Sequence, residues 1–317
     1  MQATPPLISI CIPAYKRPGS LKKLLDSIAI QRYKDFEVIV TDDSPDSSLS
    51  EICKKYENRV SIQYFKNEQI LGSPENWNEA VRKATGIWIK IMHDDDWFTD
   101  ENSLQSFAAV MSANPKATFL FSAYRNIDQG TGKETNMRPG RKNLHRLMKD
   151  PSILVASNVI GPPSCTLYLK RNEMVFDKRL KWLVDLEFYI RYLGLGAPVY
   201  IRDVLIDIGV SETQVTVKSF RNPFIEIPEQ FLLLEKIGVG KLKKMVLFDA
   251  WWRLIRNLGI INENDIRRYG YNGDIPLGIK AIIKFQAAVP KKVLRMGICS
   301  KLLMLLIYAR TQSNPEK

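Results

Sequence analysis

Three consecutive carboxylates, Asp94, Asp95 and Asp96, stand close behind an apolar run of the type that forms buried strands. Like charges this close repel one another, so the arrangement is costly unless a cation lies among them. Mg²⁺ and Mn²⁺ prefer carboxylate oxygens, and substrate phosphates often complete their coordination. The cluster therefore indicates a site for a divalent metal and a diphosphate. The alternative is a solvated acidic turn or helix start, continued by Asp100 and Glu101.

The elements before this cluster alternate between strand and helix patterns. Strands are predicted at 7–12, 36–41, 60–65 and 87–92, and helices at 21–30, 51–56 and 74–84, with Pro13 ending the first strand. This order implies a parallel sheet with right-handed crossovers. Polar groups follow three of the strands, at 13–15, 42–44 and 94–96. Because ligands bind outside the carboxyl ends of such strands, a nucleotide site is expected at that edge.

Several other classes of site are not indicated. No G-x-G-x-x-G follows the first strand and no G-x-x-x-x-G-K-[ST] is present, so neither a dinucleotide cradle nor a P-loop is expected. Four scattered cysteines and two histidines do not suggest zinc or a disulfide framework, which favours a cytoplasmic setting. No signal peptide is expected at the N-terminus, and the late apolar runs are too short to span a bilayer.

The positive charge is concentrated at the C-terminal end. Residues 275–317 contain eight basic side chains and one acid, which is +7 of the total net charge of +12. Apolar residues interleave with these lysines and arginines, as in interfacial amphipathic segments. The pattern predicts contact with an anionic membrane surface and no nucleic-acid partner. The alternative is helices that pack on their own domain with a basic outer face.

Five short motifs occur in order along the first hundred residues. They are ICIPAYKR (10–17), VIVTDDS (38–44), NWN (76–78, preceded by Asn67 and Gly72), ATG (84–86) and HDDDW (93–97). Together they resemble the inverting family 2 glycosyltransferases, which have the GT-A fold. The resemblance is continuous over roughly 7–100 and more scattered to about 215. It implies an α/β protein with a mostly parallel, Rossmann-like sheet flanked by helices, and a helical C-terminal extension.

The resemblance also implies a domain division and a set of site residues. Residues 1–220 would form the catalytic domain, with a nucleotide-binding half at about 1–100 and an acceptor half at about 101–220. Residues 221–317 would form the helical, basic, amphipathic region. The donor would be contacted by Pro13, Ala14, Tyr15, Arg17, Asp42, Asp43, Asn67, Gly72, Asn76, Asp94 and Asp95.

Metal binding is implied for Asp95 and Asp96, but the register of the D-x-D element stays open. Its first position could be His93 or Asp94, so either of the two aspartates could be the direct ligand. At the second strand end, an Asx turn is an alternative for Asp42 and Asp43.

A helix at 181–194 is predicted to carry the general base. Relatives often have an E-D pair there, but Val184 replaces the first acid, which leaves Asp185 and Glu187. Glu187 stands four residues before Arg191, the favourable spacing for an ion pair. Asp185 is therefore the expected base for the acceptor hydroxyl, with a plain first-turn acid as the alternative. Both acids should flank an apolar face formed by Leu186, Tyr189, Ile190 and Leu193.

Acceptor-side contacts are suggested for Ser164, Trp182 and Glu187. Ser164 follows two prolines in a segment that resembles the acceptor side of the family, although a plain loop is an equal alternative. Residues 208–216 resemble a loop that closes over the donor. Ser211 stands where relatives often have a histidine, and Lys218 and Arg221 could supply positive charge.

These features predict a metal-dependent inverting glycosyltransferase that uses Mn²⁺ or Mg²⁺. It would move a sugar from a nucleotide-diphosphate sugar to a glycan hydroxyl, on a lipid-linked precursor of O-antigen, capsule or exopolysaccharide, at the inner face of the cell membrane. One alternative is a sugar-nucleotidyltransferase, for which 13–19 is a poor version of the Gly-rich basic loop. Another is a non-catalytic basic adaptor for membrane or nucleic acid.

Overall fold

The computed structural model of the chain describes residues 6–211 and 220–313. Two compact units are present. The first comprises Met1–Pro151 with Val159–Glu212, and the second comprises Ser152–Asn158 with Thr213–Lys317.

The first unit is built on one mixed sheet. Its strands are β1 (Ile8–Ala14), β2 (Phe36–Asp42), β3 (Ile62–Lys66), β4 (Trp88–Ile91), β5 (Asp96–Phe98), β6 (Phe119–Asp128), β7 (Glu134–Met137), β8 (Thr166–Leu169) and β9 (Val199–Val210). Their order in the sheet is β3-β2-β1-β4-β8-β6-β9-β5, and β7 pairs with β6. Its helices are α1 (Pro18–Ala29), α2 (Ser48–Lys54), α3 (Glu75–Lys83), α4 (Ser103–Ala113), α5 (Arg141–Lys149) and α6 (Val184–Leu193).

The four N-terminal strands run parallel, as the alternating pattern predicts. The carboxyl ends of β1, β2 and β4 therefore meet at one edge. Beyond β4 the directions change, because β8 is antiparallel to both β4 and β6, while β6 and β9 are parallel. The strands β1, β2 and β4 are buried almost throughout, which explains their continuous apolar runs.

The first strand does not end at Pro13, as its sequence suggests. It continues to Ala14, and Pro13 lies beside Thr41 of β2. The carbonyl of Cys11 accepts from Met92 at 2.9 Å on the β4 side, where the β1–β4 ladder then ends. Backbone N–H groups alternate sides along a strand, so an N–H at position 13 would point toward β4. The β1–β4 ladder makes no further bond there, so proline removes none.

The second unit is helical in its described part. Its α-helices are α7 (Pro223–Ile237), α8 (Met245–Leu258), α9 (Glu263–Arg268), α10 (Leu277–Ala288), α11 (Lys291–Arg295) and α12 (Gly297–Ser313). Among the apolar residues of the basic tail, Ile279, Ile282, Ile283 and Leu294 pack in this unit's own core. For α10 and α11 the alternative of self-packing helices is therefore the correct one. No helix among the described residues has the length and apolarity needed to cross a membrane.

Candidate active site

An arginine bridges two of the three consecutive carboxylates. Arg17 Nη2 lies 2.6 Å from Asp94 Oδ1, and its Nη1 lies 2.5 Å from Asp95 Oδ2. The N–H of Tyr15 donates to Asp94 Oδ2 at 3.2 Å. Burial raises the pKa of Asp94 to about 7, although Arg17 opposes the shift. The turn after β1 therefore supplies the positive charge that the acidic cluster requires.

The third carboxylate points into the protein. Asp96 is buried, and the hydroxyl of Ser164 donates to its Oδ2 at 2.5 Å. The same hydroxyl oxygen accepts the N–H of His93 at 3.0 Å. Burial, and then the charge of Asp95, raise the pKa of Asp96 well above its usual range. Ser164 is itself fully buried and supports the acidic cluster, whereas its acceptor contact stays a prediction.

Three side chains of this segment lie close enough together to be candidate ligands of one metal ion. Ligand atoms of His93, Asp95 and Asp96 all lie within 4.8 Å of one another. The Nε2 atom of His93 is buried, and no hydrogen-bond partner for it occurs within residues 6–211 and 220–313. Burial lowers the pKa of His93 to about 4, so the ring is neutral at pH 7, as a metal ligand must be. One imidazole and two carboxylates fit Mn²⁺. Asp94 is not part of this group, and Arg17 pairs with both Asp94 and Asp95.

The end of β2 forms a second group. Asp43 accepts from Asn67 Nδ2 at 2.6 Å, from the Leu71 N–H at 3.1 Å and from the Gly72 N–H at 2.8 Å. Gly72 has a φ of +70°, a conformation that side chains disfavour. Asp43 therefore fixes the loop 67–72 beside β1, where its own N–H donates to Ala14 at 3.1 Å.

Two residues predicted to contact the donor are buried in structural roles. Asp42 is fully buried and accepts from the Ser44 N–H at 2.6 Å, the Tyr64 hydroxyl at 2.6 Å and Lys66 Nζ at 3.2 Å. The bond to Ser44 is an Asx turn, the alternative given for Asp42, and its donor contact stays a prediction. Asn76 is also buried and donates to the carbonyl of Thr41 at 3.1 Å, which places it under the loop.

The helix α6 carries both candidate acids in its first turn. Glu187 is buried, and Arg191 donates to it from Nε at 2.9 Å and from Nη2 at 3.1 Å, the ion pair that the spacing predicts. Asp185 is half-buried, and its Oδ1 accepts the Leu186 N–H at 2.8 Å. Trp182, just before the helix, is half-buried.

The buried face of α6 differs from the prediction. It contains Val184, Glu187, Phe188, Tyr189, Tyr192 and Leu193, whereas Leu186 and Ile190 are half-buried. The aromatic rings of Phe188 and Tyr192 pack on Tyr168 of β8, which sets the rotation of the helix.

One turn connects α6 to the acidic cluster. The Tyr189 hydroxyl donates to the carbonyl of Gly161 at 3.2 Å, and three residues later Ser164 donates to Asp96. Gly161 has a φ of +101°, and an added Cβ would meet the ring of Tyr124 at 2.5 Å. The turn 161–165 therefore contacts helix α6, which carries Asp185, at one end and the carboxylate of Asp96 at the other.

Two contributors to this site were not predicted. The sequence pattern includes His93 only as a register position of the motif, and it does not indicate a role for Lys90, a fully buried lysine in β4. A lysine inside an otherwise apolar strand was the available sequence signal. Of the predicted closing loop, 212–216 and Lys218 lie outside the described residues. Ser211 is half-buried, and Arg221 is exposed with its N–H donating to Glu226.

Comparison with known proteins identifies the family. Residues 9–172 match the description Glycosyl transferase family 2. The chain belongs to this family. It is therefore a glycosyltransferase, as the ordered motifs predict, rather than a nucleotidyltransferase or a non-catalytic adaptor.

Among curated relatives, the chain is 25% identical over 319 residues to poly(ribitol-phosphate) beta-N-acetylglucosaminyltransferase TarS of Staphylococcus aureus. That match covers 96% of this chain but only 53% of TarS. It is 28% identical over 220 residues to the putative colanic acid biosynthesis glycosyl transferase WcaA of Escherichia coli, covering 67% of this chain and 76% of WcaA.

Two solved structures show the same fold. S. aureus TarS 1-349 in complex with UDP-GlcNAc superposes with a TM-score of 0.64 at 18% identity, covering 97% of this chain and 91% of that one. The mannosyltransferase PcManGT from Pyrobaculum calidifontis, in complex with GDP-Man and Mn²⁺, gives 0.57 at 14% identity, covering 99% and 89%. The prediction of a GT-A fold with a helical C-terminal region is confirmed.

Proposed function

We propose that this enzyme transfers a sugar from a nucleotide-diphosphate sugar to a hydroxyl of a glycan acceptor, with a divalent metal and with inversion at the anomeric carbon. The observation that carries the proposal is the convergence of His93, Asp95 and Asp96, whose ligand atoms lie within 4.8 Å of one another, with an imidazole that is neutral at pH 7. Two similar structures, one in complex with UDP-GlcNAc and the other with GDP-Man and Mn²⁺, support the donor class.

Several residues around the cluster would bind the donor and stabilise the departing diphosphate. His93, Asp95 and Asp96 would hold Mn²⁺ or Mg²⁺, which supplies neutralisation of the diphosphate as the glycosidic bond breaks. Arg17 adds a second positive charge on the exposed side of the cluster. Tyr15 is exposed beside it and can contact the base or ribose, and Asp43 holds the loop 67–72 that would border the nucleotide.

Asp185 would act as the general base. In the transfer, the acceptor oxygen forms a bond to the anomeric carbon while the carbon–oxygen bond to the diphosphate breaks, and the hydroxyl proton passes to Asp185. Glu187 is the less suitable acid, because Arg191 already pairs with it in a buried position. Attack opposite the departing diphosphate inverts the stereochemistry.

The acceptor class is proposed as a lipid-linked precursor of a surface glycan. The names of TarS and WcaA, which refer to poly(ribitol-phosphate) and colanic acid, support a surface polymer. We further propose that residues 1–220 form the catalytic domain, with residues 221–317 as a region that holds it at the inner face of the membrane.

One helix face supports peripheral membrane contact. On α12, Ile298, Leu302 and Leu306 follow at intervals of four residues, so they share one face, and they are 80%, 62% and 45% exposed. Arg295 precedes this stripe and Arg310 follows it, both exposed. An exposed apolar stripe between basic side chains fits the interface of an anionic bilayer.

A donor screen tests the proposal. UDP- and GDP-sugars are incubated with the protein and Mn²⁺ or Mg²⁺, and binding is followed by thermal shift and turnover by donor hydrolysis. We expect at least one donor to bind and to hydrolyse slowly, with both signals lost on addition of EDTA. Hydrolysis unaffected by EDTA would refute the metal role, and no binding of any nucleotide-sugar would refute the donor class.

A further inference from the structure

Lys90 is fully buried in the middle of β4, in the sheet that carries the active-site edge. Its Nζ lies 4.7 Å from the ring centre of Phe107 and 5.8 Å from that of Phe98. Lysine is almost never fully buried unless it is paired, and removing its charge from water is costly. The buried position of Lys90 therefore needs a specific interaction that offsets the cost of desolvation.

The hydrogen bond of Lys90 leads directly to the acidic cluster. Its Nζ donates to the carbonyl oxygen of Ser164, in the short 3₁₀ turn Pro163–Cys165. The hydroxyl of Ser164 donates to Asp96 at 2.5 Å and accepts the N–H of His93 at 3.0 Å. Lys90 therefore fixes the main chain of the residue whose hydroxyl bonds the Asp96 carboxylate and the main-chain N–H of His93.

We propose that Lys90 is a positioning residue of the active site, which holds the turn Pro163–Cys165 so that Ser164 can orient the Asp96 carboxylate and anchor the main chain of His93 for the cation. The inference rests on the metal role proposed above. Groups that orient metal ligands from behind usually alter metal affinity when they are removed, although they do not touch the ion.

Chemistry distinguishes this role from simple core packing. Methionine has a similar length and no donor, so it would fill the same space without bonding the carbonyl of Ser164. Replacing a buried charge by an apolar side chain of similar volume is often neutral or stabilising. If Lys90 served only the fold, its replacement by methionine would change the stability little and leave metal binding unchanged. If Lys90 is a positioning residue, the replacement would weaken metal binding.

The first test compares Lys90→Met with the wild type by titration of Mn²⁺ alone, with free Mn²⁺ counted by electron paramagnetic resonance. We expect the Tm of the metal-free variant to equal or exceed that of the wild type, and its Kd for Mn²⁺ to rise about tenfold. Leu104→Ala is the matched control, because Leu104 is a fully buried residue of α4; it should lower the Tm and leave the Kd unchanged. Mn²⁺ binding by Lys90→Met that equals or exceeds the wild type in affinity would overturn the proposal.

The Mn²⁺ affinity of Ser164→Ala, alone and combined with Lys90→Met, tests whether the two residues act along one path. Ser164→Ala removes only the hydroxyl, so it should also raise the Kd, and the effects of the two changes should be less than additive because they act along one path. If Lys90→Met does not fold, a wild-type Kd in Ser164→Ala overturns the proposal.

Hydrogen exchange separates this inference from the metal role. The amide of His93 donates to Ser164, so its exchange should be faster in Lys90→Met and unchanged in Leu104→Ala. Failure of the wild type to bind Mn²⁺ would refute the metal role, and exchange would still show whether Lys90 orders the turn. Unchanged exchange at His93 in Lys90→Met would refute the positioning role.

Discussion

Arg17 and Asp95 form an ion pair across the sheet edge, with Nη1 2.5 Å from Oδ2. The carboxylate of Asp95 also belongs to the cluster whose ligand atoms lie within 4.8 Å of one another. A guanidinium and a metal ion would therefore compete for one side chain. If the donor binds as proposed, the same guanidinium would contact its diphosphate.

Replacing Arg17 by methionine should consequently have opposite effects on two ligands. Mn²⁺ alone should bind several-fold more tightly, because a competing and repelling cation is gone. The donor should bind about tenfold more weakly, because a charge-assisted contact to the diphosphate is lost. Calorimetric titrations measure both, with Lys22→Met as an exposed basic control. Weaker binding of Mn²⁺ by Arg17→Met would contradict this prediction.

Asp95→Ala should abolish detectable Mn²⁺ binding and reduce transfer by about 10²-fold or more, since a direct ligand is lost. Its Tm without metal should change little, because the relief of repulsion among three crowded carboxylates offsets the loss of the partly exposed ion pair with Arg17. The control Glu68→Ala removes an exposed acid from the loop 67–72 and should behave as the wild type. Retention of metal-dependent turnover in Asp95→Ala would show that the ion binds elsewhere.

Substitutions of the two acids of α6 should affect different properties of the enzyme. Asp185→Asn should lower kcat by about 10²- to 10⁴-fold and leave donor affinity and Tm unchanged. Glu187→Gln should instead lower the free energy of unfolding by about 1–3 kcal/mol, because Arg191 loses its buried partner. Rapid-quench kinetics and thermal unfolding distinguish the two. The opposite assignment would follow if Glu187→Gln lost turnover while keeping its Tm.

Lys90 should make stability depend on pH in a defined direction. Burial lowers its pKa from 10.5 to about 7. A base with a lowered pKa contributes stability above its unfolded pKa, and that contribution is lost as the pH falls through the folded value. The Tm of the wild type, relative to Lys90→Met, should therefore decline from about pH 10.5 to pH 7. Calorimetry across this range measures the difference, and Lys116→Met, at an exposed lysine, should show no such trend.

Charge placed on the α12 stripe should weaken membrane contact. The pair of changes Ile298→Glu and Leu302→Glu introduces two carboxylates on an exposed face, so folding should be retained. Co-sedimentation with vesicles of anionic lipid should fall several-fold, because apolar burial and charge attraction are both reduced. Ile70→Glu, at an exposed apolar residue of the first unit, is the control. Equal sedimentation of all three proteins would contradict membrane contact through α12.

The sequence by itself determined the features that depend on local periodicity. Buried strands give continuous apolar runs, and parallel order places their ends at one edge, so the positions of Asp43 and of the cluster 94–96 could be read directly. The spacing of Glu187 and Arg191 predicted their ion pair, since four residues make one helical turn.

Tertiary structure alone decided which neighbours share a function. Asp42 and Asp43 are adjacent and both buried, yet Asp42, the last residue of β2, bonds Tyr64 and Lys66 of β3, whereas Asp43, just after the strand, fixes the loop 67–72. Asp96 and Ser164 are 68 residues apart, and no local pattern links them. The turn into β5 sends Asp94 toward Arg17 and Asp96 toward the core, and this direction is set by packing between distant elements.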